Sequence, residues 1–367
     1  MLNRIFKRKR DARLFVKTFL ISLAILVPIS GIVVFSTYSV NTIQAPTVPN
    51  IPATSTNTPT INPINLQGLP FLNIGEALID YRLNETLPVF LTQYEERTPM
   101  FFTFLIFGLT EGLNANTIMV AAYDANSKQG YIISIPRDSR VDFQRNNRKI
   151  VAAYPVGRLN GGGHEGGVAR LKYEVATLIG FIPDFYISVD YEAFVRMVDA
   201  IGGVEIYVPF HMRYDDPCQA LHIDITEGLQ TLDGKNALHF ARYRRGNDRR
   251  QDITDYQRIE HQQQVLTAVA RKLITPTSIL RIPEFVNIFN DYVDSNLTTG
   301  ELIWFANQAR SVGGVDGLNL YTLPMSGTSG APAWYELPNE PEIVELVNRT
   351  VNPLMRDLTS QDLRIVH

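Results

Sequence analysis

The most arginine-rich segment of the chain reads ARYRRGNDRRQDITDYQRIEHQQQ and runs from Ala241 to Gln264. It holds six arginines and no lysine between Arg242 and Arg258. A guanidinium group is planar, and its paired N–H donors match phosphate or carboxylate oxygens better than an ammonium group does. The segment therefore predicts a binding site for an anion with several charged oxygens, such as a pyrophosphate.

The arginines of this segment are not expected to act alike. Arg245, Arg249 and Arg250 lie in RRGNDRRQD, a stretch rich in Gly, Asn and Asp that is typical of an exposed loop. We therefore expect these three side chains to be solvated, and the anion to be held by the others.

The overall charge argues against nucleic acid as the anion. The chain holds 34 basic and 37 acidic residues, a formal net charge of −3. Seven of the basic residues and one acidic residue lie in residues 1–17, which leaves 27 basic against 36 acidic residues and a net charge of −9 for the rest. A negative domain does not attract a polyanion, so we predict no nucleic-acid partner.

The N-terminus predicts a membrane anchor. After the basic tail, residues 18–38 contain no charged residue, and at about 1.5 Å per residue they span a hydrocarbon core of about 30 Å. The basic flank favours a cytoplasmic tail and places everything after Tyr38 outside the cell, in a single-pass protein of the cell membrane. A cleaved signal peptide is the alternative, but the apolar stretch is long and lacks a clear cleavage site.

The rest of the chain divides by composition. Residues 39–75 are rich in Pro, Thr and Asn and contain no charged residue. This composition predicts an extended linker. We assign residues 76–351 to an extracytoplasmic domain with its core at 98–273, and residues 352–367 to a C-terminal tail. The single cysteine, Cys218, excludes an internal disulfide framework.

Short apolar runs and helical patterns alternate along this domain. FFTFLIF, TIMVAAYD and GYIISIP predict strands, whereas GGVARLKYEVATLIGF and YEAFVRMVDAIGG have apolar residues at helical spacing. This order predicts an α/β fold, an α-β-α sandwich with a central mixed β-sheet. The apolar faces of the two helices, including Val175, Leu178, Phe194 and Val198, are interpreted as ordinary core rather than as walls of a lipid tunnel.

Five segments, taken in order, resemble the LytR-CpsA-Psr family. They are SIPRDSRV, KIVAAYPVG, IPDFYISVDYEAFVRMVDAIGGVEIYVP, GLQTLDGKNALHFARYRR and DYQRIEHQQQVL. The resemblance implies a transferase that takes a glycopolymer from a polyprenyl-pyrophosphate carrier and passes it to a hydroxyl group of peptidoglycan.

The resemblance also implies site residues. Pyrophosphate binding is assigned to five residues that match the family's motifs: Arg137, Arg242, Arg244, Arg258 and Gln262. Catalytic roles are assigned to Arg137, Asp138 and Arg258. Asp255, at the start of the last motif, is expected either to cap the helix or to orient Arg258.

The chain departs from the family where a metal is expected. The family usually has two aspartates that hold Mg²⁺, at the positions of Thr110 and Asn116 here. Mg²⁺ prefers carboxylate oxygens, so these substitutions predict weak metal binding, unless the neighbouring Glu111 supplies a carboxylate. His261 replaces a further arginine of the family. Two functions therefore remain: the transferase, and a noncatalytic module that binds or regulates lipid-linked polymer.

Overall fold

The computed structural model describes residues 45–46, 96–110, 114–143, 145–217, 221–247, 249–273, 282–309, 317–329 and 334–365. The predicted cytoplasmic tail and membrane helix lie outside these residues, as do nearly all of the linker, Glu111 and Cys218. Within the described ranges, no helix is both long and apolar enough to cross a membrane.

The strands, in chain order, are β1 Phe101–Leu109, β2 Ala115–Asp124, β3 Gln129–Ser134, β4 Phe185–Val189, β5 Val204–Val208, β6 Met212–Asp216, β7 Leu221–Ile225, β8 Gly228–Leu232, β9 Asp294–Ser295, β10 Leu318–Thr322, β11 Met325–Ser329 and β12 Tyr335–Pro338. The α-helices are α1 Ala153–Gly157, α2 Gly163–Ile179, α3 Tyr191–Ala200, α4 Gly234–Arg242, α5 Asp255–Leu273, α6 Ile282–Tyr292, α7 Thr299–Ala309 and α8 Glu340–Thr350. The short helical segment Arg158–Gly162 has π-type hydrogen bonding and joins α1 to α2.

The central sheet has six strands in the order β10-β3-β2-β1-β4-β9. β1 pairs in parallel with β4, and β3 with β10, whereas the β1–β2, β2–β3 and β4–β9 pairs are antiparallel. The predicted central mixed sheet is therefore confirmed. Strands β5 and β8 form a separate two-stranded ladder, and so do β6 and β7.

Helices cover both faces of the central sheet. On one face, Leu105 and Phe107 of β1 pack in the same cluster as Leu178 of α2 and Val347 of α8. On the other face, Phe102 of β1 belongs to a cluster that contains Trp304 of α7. Because successive side chains of a strand point to opposite faces, β1 supplies both layers of core.

A third cluster lies beside the sheet, where α3, α4 and α5 meet the ladder of β5 and β8. α3 begins at Asp190, whose carboxylate accepts a hydrogen bond from the backbone N–H of Ala193. It ends before Gly202 and Gly203, which both have positive φ, as a glycine stop after a helix predicts. This cluster forms part of the wall around the candidate site.

Candidate anion-binding site

The topology brings the predicted site residues to one edge of the central sheet. β1 and the parallel β4 both end there, because Gly108 pairs with Val189. The antiparallel β2 begins at the same edge, and β3 ends there. Thr110, Asn116 and Arg137 flank these strand ends, so residues that are distant in sequence become neighbours.

Three arginines converge on the carboxylate of Asp255. Its Oδ1 lies 3.1 Å from Nε of Arg244 and 3.6 Å from Nη1 of Arg258, and its Oδ2 lies 3.4 Å from Nε of Arg137. Three positive charges against one negative charge leave an excess of two. Asp255 holds the guanidinium groups together, and the excess charge is available to an anion.

Asp255 has this role because another residue caps its helix. The backbone N–H of Gln257 donates to the hydroxyl of Thr254 over 3.2 Å, and the side chain of Gln257 accepts from the backbone N–H of Thr254 over 2.8 Å. This reciprocal pair is a capping box at the start of α5. Of the two roles expected for Asp255, the structure supports the orientation of Arg258 and assigns the cap to Thr254.

Arg258 is the most buried of the three arginines, with a side chain only 9% exposed. Burial, together with the positive charge of Arg137, lowers its pKa to about 10, so it remains protonated at neutral pH. Its Nε forms no hydrogen bond with any residue that the structure describes. A buried cation with an unused donor is energetically costly, and an anion would satisfy it.

Arg242 and Arg244 lie on the same side of the chain. Arg242 ends α4, Tyr243 is fully buried with an extended backbone, and Arg244 follows. Although Arg242 is the last residue of a helix and Arg244 lies beyond it, both arginines line the same cavity. The guanidinium of Arg242 lies 4.2 Å from the ring centroid of Tyr191, a cation–π contact that fixes its position.

All these arginines line a cavity of about 920 Å³ that also has a large apolar part. Thr110, Asn116, Arg137, Arg242, Arg244, Arg245, Arg258 and Gln262 contribute its polar walls. Phe194, Met197, Val198, Ile201, Leu238, Val265, Leu266, Val269, Leu273, Phe285 and Phe289 contribute its apolar walls. The cavity is thus amphipathic, with volume for a long ligand beyond the arginines.

One expectation about this region is corrected. The apolar face of α3 was interpreted as ordinary core; Val198 is buried in the third cluster, but together with Phe194 it also lines the cavity. The corresponding face of α2, with Val175 and Leu178, is fully buried core as expected. Arg245 is exposed and lies outside helices and strands, as expected, and it also lines the cavity. Helical periodicity identifies an apolar face and leaves open whether side chains or a ligand cover it.

The residues at the family's metal positions are neutral and bonded to each other. Nδ2 of Asn116 donates to the hydroxyl of Thr110 over 3.4 Å, and Nη1 of Arg137 donates to Oδ1 of Asn116 over 3.1 Å. The described residues contain no group of three or more His, Cys, Asp or Glu side chains that could hold a metal ion. A guanidinium and two neutral side chains are a poor donor set for a divalent cation, which prefers carboxylate oxygens.

Asp138 does not line the cavity, although its charge acts on Arg258. Its Oδ1 forms an ion pair with Nζ of Lys149 over 3.0 Å. Its catalytic role stays a prediction. The ammonium group of Lys149 is thus paired with the carboxylate of Asp138.

His261 does not replace the missing family arginine. Its ring stacks on Phe240 with centroids 4.4 Å apart, and the residue is only 6% exposed. Burial lowers its pKa to about 4, so the ring is neutral at pH 7. The substitution therefore removes one positive charge and adds packing.

Sequence reasoning missed Asp190. It is the one carboxylate among the described residues that line the cavity, and only its Oδ1 is used to cap α3. An aspartate directly before a helix has the ordinary signature of a cap, which hid its second location. Asp190 therefore lines the same cavity as Arg242 and is a candidate base.

Fold and cavity together define an α/β protein that gathers arginines at the end of an apolar cavity. A family model, the LytR_cpsA_psr family, matches residues 95–352, and the chain belongs to this family.

Several relatives match about half of the chain. The polyisoprenyl-teichoic acid–peptidoglycan teichoic acid transferase TagV of Bacillus subtilis is 27% identical over 192 residues, which cover 51% of this chain and 46% of TagV. The regulatory protein MsrR of Staphylococcus aureus is 26% identical over 185 residues, which cover 50% of this chain and 51% of MsrR. The chain thus spans about half the length of these curated relatives.

Solved structures share the fold. The crystal structure of Bacillus subtilis TagV matches with a TM-score of 0.56 at 22% identity, covering 69% of this chain and 96% of that one. A structure of TagT bound to LIIa-WTA matches with a TM-score of 0.55 at 19% identity, covering 73% and 96%. These similarities establish the α/β architecture.

Proposed function

We propose that this chain transfers a glycopolymer from a polyprenyl-pyrophosphate carrier to a hydroxyl group of peptidoglycan. The observation that carries the proposal is the single cavity in which Arg137, Arg242, Arg244 and Arg258 lie at one end and apolar side chains line the remainder. A polyprenyl pyrophosphate has the same two parts, a multiply charged head and a long hydrocarbon chain. The names of relatives such as TagV also support this reaction class.

The arginines bind the pyrophosphate and stabilise the charge that develops on it. Their positions are fixed before the ligand arrives by Asp255 and by the ring of Tyr191. Donors that are already oriented lower the barrier of phosphoryl transfer without reorganisation. The apolar walls from α3, α5 and α6 hold the hydrocarbon chain and exclude water from it.

In the proposed reaction, an acceptor hydroxyl oxygen attacks the phosphorus that carries the sugar. A new O–P bond forms, the bond to the bridging oxygen breaks, and polyprenyl phosphate leaves with the bond electrons. The hydroxyl proton needs a base, and Asp190 is the described carboxylate of the cavity that can accept it. Arg137 and Arg258 balance the charge of the leaving phosphate.

The proposed reaction does not rely on Mg²⁺. Thr110 and Asn116 are neutral, and Arg137 already donates to Asn116. A guanidinium group can supply part of the charge that a cation would supply. We propose that the arginines alone carry this task.

We also propose that residues 18–38 anchor the chain in the cell membrane, with the domain outside the cell. The uncharged run behind seven basic residues is the supporting observation. Protease added to intact spheroplasts should then degrade the domain. A domain that is protected until the membrane is broken would contradict this topology.

The transfer is tested by mixing the purified full-length protein with a lipid-pyrophosphate-linked oligosaccharide and peptidoglycan oligomers. Mass spectrometry should detect released polyprenyl phosphate and the sugar-phosphate ester of peptidoglycan, with and without EDTA. Turnover that is unaffected by EDTA supports the proposal. Turnover that disappears with EDTA and returns with Mg²⁺ contradicts its metal-free form.

A noncatalytic binding module is the second candidate function. The neutral Thr110 and Asn116 favour it, because they replace the carboxylates that the resemblance implies for a metal-dependent transferase. The relative MsrR is named a regulatory protein. Binding of the lipid pyrophosphate without release of polyprenyl phosphate in the same assay would select this function.

A further inference from the structure

Helix α5 has a second concavity on its other side. This groove of about 460 Å³ lies between α5, β5 and β10, and Glu205, Tyr207, Glu260, Gln264 and Arg271 contribute to its walls. The anion-binding cavity uses other positions of the same helix, including Val265 and Val269. One helix thus separates two recesses of different chemistry.

An exposed aromatic ring marks the groove. Tyr207 is 60% exposed, although its neighbours on β5, Ile206 and Val208, are buried. The alternation of a strand places Tyr207 on the outer face of the ladder. The side chain of Tyr207 makes no hydrogen bond and no ring contact within the part of the chain that the structure describes. Tyr207 therefore offers an aromatic face to a ligand that enters the groove.

The polar side chains around this ring are also unpaired. Among the described residues, Glu205, Glu260, Gln264 and Arg271 form no hydrogen bond or ion pair. On α3, by contrast, Arg196 pairs with Glu192 at 2.7 Å across one helical turn. The groove therefore presents two carboxylates, one amide and one guanidinium to a ligand.

These features together match a sugar. A pyranose ring has an apolar C–H face that stacks on an aromatic ring, and hydroxyl groups around its rim that bond to planar polar side chains. Two acids against one arginine give no strong preference for an anion, unlike the neighbouring cavity. We propose that this groove binds an uncharged oligosaccharide, with one ring stacked on Tyr207 and its hydroxyls bonded to Glu260, Gln264 and Arg271.

Calorimetry of the full-length protein with tri-N-acetylchitotriose and with maltotriose tests this proposal. Neither probe carries a phosphate, so the result does not depend on the anion-binding cavity or on transferase activity. We expect at least one probe to bind, and Tyr207→Ala to weaken its binding about tenfold by removing the stacked ring. Tyr207→Phe keeps the ring and should retain most of the affinity.

Leu229 provides the matched control. It pairs with Tyr207 across the β5–β8 ladder and is 66% exposed, but it does not line the groove. Leu229→Ala should leave oligosaccharide binding unchanged. The proposal is overturned if neither probe binds, or if Leu229→Ala weakens binding as much as Tyr207→Ala does.

Discussion

Nη1 of Arg137 donates a hydrogen bond to Oδ1 of Asn116 over 3.1 Å. The oxygen that the resemblance would assign to a metal ion is therefore bonded to a cation that belongs to the protein. Asn116 in turn donates to Thr110 over 3.4 Å, which completes a chain of contacts from Arg137 to Thr110 at the edge of the sheet.

The single change Asn116→Asp should not create a magnesium site. The new carboxylate would pair with Arg137, because the two groups are already within hydrogen-bonding distance. The double change Thr110→Asp with Asn116→Asp supplies a second carboxylate and should bind Mg²⁺ measurably. Calorimetric titration of Mg²⁺ into the three proteins checks this. Tight binding by the wild type would show that another carboxylate, with Glu111 and Asp138 as first candidates, holds the ion.

Removal of single arginines should weaken pyrophosphate binding. We expect Arg242→Ala, Arg244→Ala and Arg258→Ala each to cost about 1.5 to 3 kcal/mol in affinity for a polyprenyl pyrophosphate, the value of a hydrogen bond to a charged group. Arg258 should cost most, because its side chain is 9% exposed against 43% for Arg244. Arg249 is exposed and outside the cavity, so Arg249→Ala is the control for lost charge. Equal effects of all four changes would point to unspecific attraction.

Asp190→Asn should separate capping from proton transfer. Asparagine caps helices as well as aspartate does, so α3 should persist, whereas an amide cannot accept the hydroxyl proton. We expect turnover to fall about a hundredfold with little change in the affinity for the lipid substrate. The matched control is Asp233→Asn, since Asp233 caps α4 by the same contact, with the N–H of Asn236, and does not line the cavity. Full activity of Asp190→Asn would exclude Asp190 as the base.

Filling the apolar part of the cavity should discriminate between ligands by chain length. Val269 of α5 lines this part, and Val269→Trp adds a large side chain to its volume. A long polyprenyl pyrophosphate should bind more weakly, whereas a short isoprenyl pyrophosphate should keep its affinity, because the arginines are unchanged. Fluorescence competition with both ligands measures the difference. An equal loss for both ligands would indicate that the hydrocarbon chain lies elsewhere.

Buried histidines should make the fold sensitive to acid. Burial lowers the pKa of His261 to about 4, below the ordinary value of 6.5. Between these values the unfolded chain binds a proton that the folded chain does not, so the free energy of unfolding decreases as the pH falls from 6.5 towards 4. His261→Phe keeps an aromatic ring beside Phe240 and should flatten this dependence in urea denaturation. His239, whose pKa is lowered to about 4 by its burial, should leave a residual slope.

Several features of the fold and the site follow from residue types and from patterns of neighbouring residues. The arginine-only composition between Arg242 and Arg258 predicted an anion site, because guanidinium chemistry is a property of the side chain itself, and the structure brings these arginines to one cavity with Arg137. The alternation of strand and helix patterns along the chain predicted the central mixed sheet, because each pattern depends on residues that are close in sequence. Thr110 and Asn116 could be read directly as neutral residues.

Contacts between distant segments could not be inferred in this way. Nothing in the pattern around Asp255 indicates that Arg137 reaches it, because that approach depends on the shared edge of β1, β2, β3 and β4. Sequence reasoning missed Asp190 and assigned Arg245 to a loop, whereas the packing of α3 and α4 brings both residues to the cavity.

The residue types of this protein could be read from its sequence: arginines suited to an anion, apolar faces on the helices, and neutral side chains where the family has two carboxylates. Only the packing of the helices shows that the face of α2 is filled by other side chains, whereas that of α3 borders an open cavity. The physical reason is that periodicity records where apolar side chains point, whereas the space they meet depends on how the helices pack.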